Sequence, residues 1–172
     1  MTPAIGLETH VDEIAVTVLG VGNLIMGDDG AGLELMSALQ ERCPDPRVEF
    51  VEGATDGMGL LPVIQDANRL LILDAVDGPQ PGAVTVITGD HISRLLSTKV
   101  SPHQLGLRDV FSAARITGRE PSEIVVVGIV PDSVTARYGL SPVVAAALPE
   151  AVERALGVLR EWLGDDLAVT GA

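Results

Sequence analysis

The chain has 172 residues, with 11 Lys plus Arg against 24 Asp plus Glu, a formal net charge of -13. That length fits one domain with a sizeable core, and a hydrophobic content of 47% excludes a disordered chain. The acidic balance excludes a nucleic-acid partner, and the single Cys43 excludes an internal disulfide or a thiolate zinc site, so a reducing, cytoplasmic setting is expected.

The first residues carry Glu8, Asp12 and Glu13 and no basic n-region, which is not the pattern of a signal peptide. No uncharged apolar run reaches the roughly 18 residues of a membrane span, so no membrane partner is expected. Residues 1–12 and 164–172 read as loose ends around a core of 14–163.

Ile14 to Gly20 is a charge-free, β-branched run that predicts a buried strand. A glycine-rich turn follows, and Leu33, Met36 and Leu39 recur at helical spacing up to Arg42, where Pro44 and Pro46 stop the helix. Val48 to Val51 predicts a strand, Met58 to Ala67 a helix, and Arg69 to Ala75 a strand carrying Asp74 at its end. Gly78, Pro79, Pro81 and Gly82 punctuate a turn into a strand at 83–88. A helix over 101–117, a buried strand over 123–130 and a closing helix over 141–163 complete the chain. Alternating strands and helices predict a single α/β domain, a twisted, mostly parallel sheet of about five strands with helices on both faces. With aromatics at only 2%, its core must be built from Val, Leu, Ile, Ala and Met.

In such a sheet, sites gather at the carboxyl ends of the strands. Gly20-Val21-Gly22 there invites a dinucleotide-binding reading, but Ile25 stands where the fingerprint needs its third glycine, and Asp28 and Asp29 would oppose a pyrophosphate. A tight turn is the simpler reading. Of Asp28 and Asp29, one can cap the helix that follows, leaving the other to a ligand; capping alone accounts for the pair equally well. Asp74 ends its strand at the sheet edge, whereas Asp77-Gly78 is a turn signal. Ser101-Pro102-His103-Gln104 has a capping-box pattern that would fix His103 in a first helical turn, with the dipole favouring a neutral imidazole. Read alone, His103 is better taken as an ordinary capped-turn histidine, His91 as a surface residue and His10 as part of the tail. Two carboxylates and an imidazole would suit a divalent borderline metal without selecting nickel over zinc, cobalt or manganese. A paired-aspartate dyad is the competing chemistry; Ser/His/Asp chemistry lacks its G-x-S-x-G elbow, and Cys43 has no visible partner.

Leu19-Gly20-Val21-Gly22-Asn23, Asp28-Asp29-Gly30-Ala31-Gly32, Asp74-Ala75-Val76, Pro81-Gly82, Ser101-Pro102-His103-Gln104-Leu105, Val127-Gly128-Ile129-Val130-Pro131 and Gly139-Leu140-Ser141 occur in an order and spacing that resembles the hydrogenase maturation proteases. Gly53-Ala54-Thr55-Asp56-Gly57 is similar to that family's Gly-Gly-Thr turn, with Ala54 replacing a glycine. The resemblance implies a mostly parallel, helix-flanked sheet and an endopeptidase that trims the C-terminal extension of the nickel-iron hydrogenase large-subunit precursor. It implies a metal and catalytic set of Asp29, Asp74 and His103, and recognition of nickel already seated in the substrate. It also implies cleavage after a His or Arg just beyond the C-terminal cysteine motif. A monomer is expected. The alternatives are a non-catalytic chaperone binding the nickel-loaded subunit through the same residues, and a nucleotide-binding α/β protein.

Overall fold

The computed structural model describes residues 13–54, 57–89, 91, 92 and 102–171, without the side chains at 54 and 102–105. Five strands, β1 (Val16–Val21), β2 (Val48–Ala54), β3 (Arg69–Ala75), β4 (Val84–Thr88) and β5 (Glu123–Ile129), form one sheet in the order β2-β1-β3-β5-β4. Among the described residues, the helices α1 (Ala31–Arg42), α2 (Leu61–Asp66), α3 (Pro102–Ile116) and α4 (Pro142–Leu163) cover it. Short 3-10 turns at Gly27–Gly30 and Gly57–Leu60 precede α1 and α2.

The ladders β1–β2, β1–β3 and β3–β5 are parallel, and β4 alone runs antiparallel to its neighbour, pairing Val84 with Ile129. The expected architecture is present, with that edge strand as its exception. The turn through Gly82 does not make a hairpin with β3; β4 crosses to the far side of β5, a long-range pairing that no local spacing encodes.

Side chains along β3 alternate between two cores because successive residues of a strand face opposite ways. Leu71, Leu73 and Ala75 join α1 and α4 on one face. Leu70 and Ile72 join α2 and α3 on the other. The largest fully buried side chains are all Leu or Ile, as the scarcity of aromatics required. Each such side chain contributes about 1.5–3 kcal/mol by leaving water.

Residues 164–171, expected to be loose, are held against α1. Leu167 is buried, the Thr170 backbone N–H donates to Arg42 O at 2.9 Å, and Ala168 N–H donates to the Asp45 carboxylate at 3.0 Å. One buried leucine and four bonds joining this end to residues 41–45 outweigh the fraying of a polar, Gly-containing end.

Candidate active site

The strand order fixes where a ligand can sit. From β1 the chain passes through α1 to β2 on one side, then crosses back through α2 to β3 on the other. The carboxyl ends of β1 and β3 therefore border the crevice at the switch point, where open α/β sheets bind ligands. Asp29 lies in the 3-10 turn that follows β1, and Asp74 lies near the end of β3.

Two close approaches bring these acids to one crevice. The turn carrying Asp29 packs against β3. A Cβ on Gly32 would stand 2.2 Å from Leu73 O and 2.3 Å from Val21 O, so only glycine lets α1 begin directly over both strand ends. Gly22, with φ 136°, bends the chain back so that a Cβ there would meet Asp29 O at 2.0 Å. The close helix–strand packing missed at Ile25, which is exposed, is thus supplied by Gly32 at the later helix start.

Asp74 and Asp29 are both buried. The β3 ladder with β1 ends at Leu73, opposite Gly20, so Asp74 stands just where the two strands part. Its other neighbour in register is Gly128, which has no side chain to crowd it. By the alternation of β3, Asp74 continues the Leu70 and Ile72 row toward the α2 and α3 face. One carboxylate oxygen accepts the N–H of Ala75 at 2.8 Å, which helps fix the carboxylate.

Position 103 falls in the first turn of α3. Gly106, one turn on, meets Gly57 so closely that a Cβ on Gly106 would lie 3.0 Å from the Gly57 Cα. The start of α3 is thereby seated beside the turn after β2, at the same edge of the sheet. Ser101, the expected cap, and the His103 side chain lie outside the described residues. Among the described residues no three His, Cys, Asp or Glu side chains form a metal-holding group.

Asp28 departs from its expected role. The N-cap of α1 is Gly30, and the Asp28 carboxylate reaches instead to the segment after β5. One oxygen accepts the Ser141 N–H at 2.6 Å; the other accepts the Ser141 hydroxyl at 2.8 Å and the N–H groups of Asp132 and Ser133 at 2.9 and 3.0 Å. Burial pushes its pKa up, but these donors outweigh burial and hold the carboxyl below its ordinary value. Arg137 Nη2 stands 3.9 Å away. Four donors on a wholly buried carboxylate make Asp28 a fastener between two loops, which leaves its neighbour Asp29 as the acid of the pair to be weighed for chemistry. Local spacing missed this role; the only trace was that Gly139-Leu140-Ser141 stood among the recurring motifs. His91 is exposed, as read, and Cys43 is buried, with its thiol pushed up by burial and so not poised as a nucleophile.

The chain belongs to the hydrogenase maturation protease family, whose model matches residues 33–158. Like them it is a peptidase, a hydrolase. It is 39% identical to Hydrogenase 2 maturation protease of Escherichia coli K12, over 85% of this chain and 91% of that protein. It is 37% identical to the hydrogenase expression/formation protein HoxM of Cupriavidus necator, over 87% of this chain and 76% of the relative. Among solved structures, the hydrogenase maturating endopeptidase HybD from E. coli superposes with a TM-score of 0.81 at 39% identity, covering 85% of this chain and 92% of that one. The maturation protease HybD from Thermococcus kodakarensis superposes with a TM-score of 0.68 at 31% identity, over 83% and 97%. No helix among the described residues is long and apolar enough to cross a membrane.

Proposed function

We propose that this peptidase removes the C-terminal extension of a nickel-iron hydrogenase large-subunit precursor once nickel has been inserted. In this reading Asp29, Asp74 and His103 contact the nickel of the substrate, and one of the two carboxylates positions the water that attacks the scissile carbonyl. The observation that carries it is the placement of two buried acids at the switch between β1 and β3, with Asp28 committed to the loop beyond β5. Oxygen and imidazole ligands suit nickel, a borderline divalent metal.

The test is processing of nickel-loaded and nickel-free precursor, followed by mass spectrometry of the large subunit. Loss of the C-terminal extension only from the nickel-loaded form is expected. Equal cleavage of both forms would remove nickel from the recognition, and an intact extension under all conditions would remove the cleavage itself.

A further inference from the structure

Residues 131–141 form a strap from the end of β5 to the start of α4, and it is tied to the loop after β1. Gly27 N–H donates to Arg137 O at 2.7 Å, Arg137 N–H donates to Ile25 O at 3.0 Å, and Met26 and Arg137 form a parallel bridge. Because β3 lies between β1 and β5, a strap that leaves β5 and bonds to the β1 loop must pass the carboxyl end of β3, where Asp74 stands. Asp28 fastens the same strap from beneath through Asp132, Ser133 and Ser141.

This doubly anchored unit turns apolar side chains outward. Ile25 is 65% exposed, Tyr138 75% and Val134 41%. None of them contributes much to the core, yet each lies on or next to hydrogen-bonded backbone: Ile25 O accepts from Arg137, Val134 follows Ser133, and Tyr138 follows Arg137. Exposed apolar groups held rigidly beside a peptidase's candidate active crevice have the properties of a preorganised binding rim.

We infer that Ile25, Val134 and Tyr138 are the contact surface for an extended apolar stretch of the polypeptide substrate, adjoining the bond to be cut. The occupant follows from the activity and the position: a polypeptide lying over Asp29 and Asp74 must leave their crevice across its rim, and this rim is joined to Asp29 through the few residues from Ile25. The inference rests on the placement of the reaction at Asp29 and Asp74.

The experiment measures Kd and steady-state kinetics on nickel-loaded precursor for the parent chain, an I25S/Y138S double variant, the apolar replacement Tyr138→Leu, and Ile116→Ser. Ile116 is 85% exposed but ends α3 near the opposite edge of the sheet, so it controls for lost surface apolarity. The double variant is expected to raise Kd and KM about tenfold or more with kcat unchanged, because apolar contacts that do not touch the reacting atoms bind ground and transition states alike. Ile116→Ser and Tyr138→Leu should match the parent. A parent that binds but does not cut would overturn the cleavage reading while the Kd comparison still decides the rim. Unchanged Kd and KM in the double variant, with its melting temperature at the parental value, would overturn the rim. So would a parental dimer in light scattering that the double variant dissociates at unchanged KM, since the surface would then face a second copy.

Discussion

The Asp28 carboxylate grips Ser141 twice, taking its backbone N–H on one oxygen at 2.6 Å and its hydroxyl on the other at 2.8 Å. With Asp132 and Ser133 added, both oxygens face only donors. Asp28→Asn would turn one acceptor into an NH2 donor aimed at a donor, in a site with no access to water. A loss of about 2–4 kcal/mol is expected, against about 1 kcal/mol for Ser141→Ala, which leaves three of the four bonds in place. Urea unfolding of the two variants checks the ordering; equal losses would show that the hydroxyl, rather than the set of backbone donors, dominates.

Acid should weaken the fold through Asp28 and Asp45. The Asp45 carboxylate bonds the Arg47 guanidinium at 2.7 and 2.9 Å and the Ala168 N–H at 3.0 Å, and the Arg47 bonds hold its pKa well below the ordinary 3.8 against burial. Both carboxyls thus bind fewer protons folded than unfolded. Their stabilisation is complete above about pH 5 and drains away as pH falls through the unfolded and then the folded values. Asp45→Asn should lose roughly 2 kcal/mol at pH 7 and progressively less relative to the parent below about pH 4. Urea midpoints at pH 7, 5, 4 and 3 measure it; a constant gap at every pH would mean that the charge of Asp45 is not what stabilises.

Gly32 and Gly157 should respond oppositely to alanine. At Gly32 the added Cβ meets two backbone carbonyl oxygens that cannot rotate away, so α1 must lift from the sheet. A cost of about 3 kcal/mol or more is expected, together with lost cleavage as Asp29 moves away from Asp74. Gly157 lies on the exposed side of α4 with nothing within 4 Å of such a Cβ, and Gly157→Ala should stabilise by about 0.5–1 kcal/mol. Thermal melts of both proteins decide the matter.

Asp29→Ala, Asp74→Ala and His103→Ala should each lower precursor cleavage by about 100-fold or more. Asp29→Ala should leave the Asp28 bonds to Ser141, and hence most of the stability, in place. Single-turnover cleavage with a melting curve for each variant separates the effects. Full activity in any one of them would remove that residue from the mechanism.

Most elements were legible because each faces a core on its own period. The charge-free run of β1, the residues of β3 and the helical spacing of Leu33, Met36 and Leu39 each point to one structure without knowledge of the rest. Asp74 and the Asp28-Asp29 pair could be picked out because each ends or follows such a strand, while the choice of Asp29 over Asp28 came from the resemblance alone. The role of Asp28 was not legible, since a carboxylate before a helix has a local partner available in principle, while its actual partners lie 104, 105 and 113 positions away.

The sequence by itself therefore determined the elements, the two-sided burial of the sheet and the acids at the strand ends, because local periodicity and strand–turn punctuation suffice for these, and it pointed to the family through the order and spacing of its short motifs. Only the tertiary structure decided the order β2-β1-β3-β5-β4, with its antiparallel edge, and so the switch point that brings Asp29 to Asp74. It also decided that Asp28 fastens the strap from β5 and that residues 164–171 are held down. These depend on which distant donor or strand comes within hydrogen-bonding range. That is set by the packing of helices on both faces at once and by glycine-permitted approaches such as Gly32 on Leu73, not by spacing along the chain.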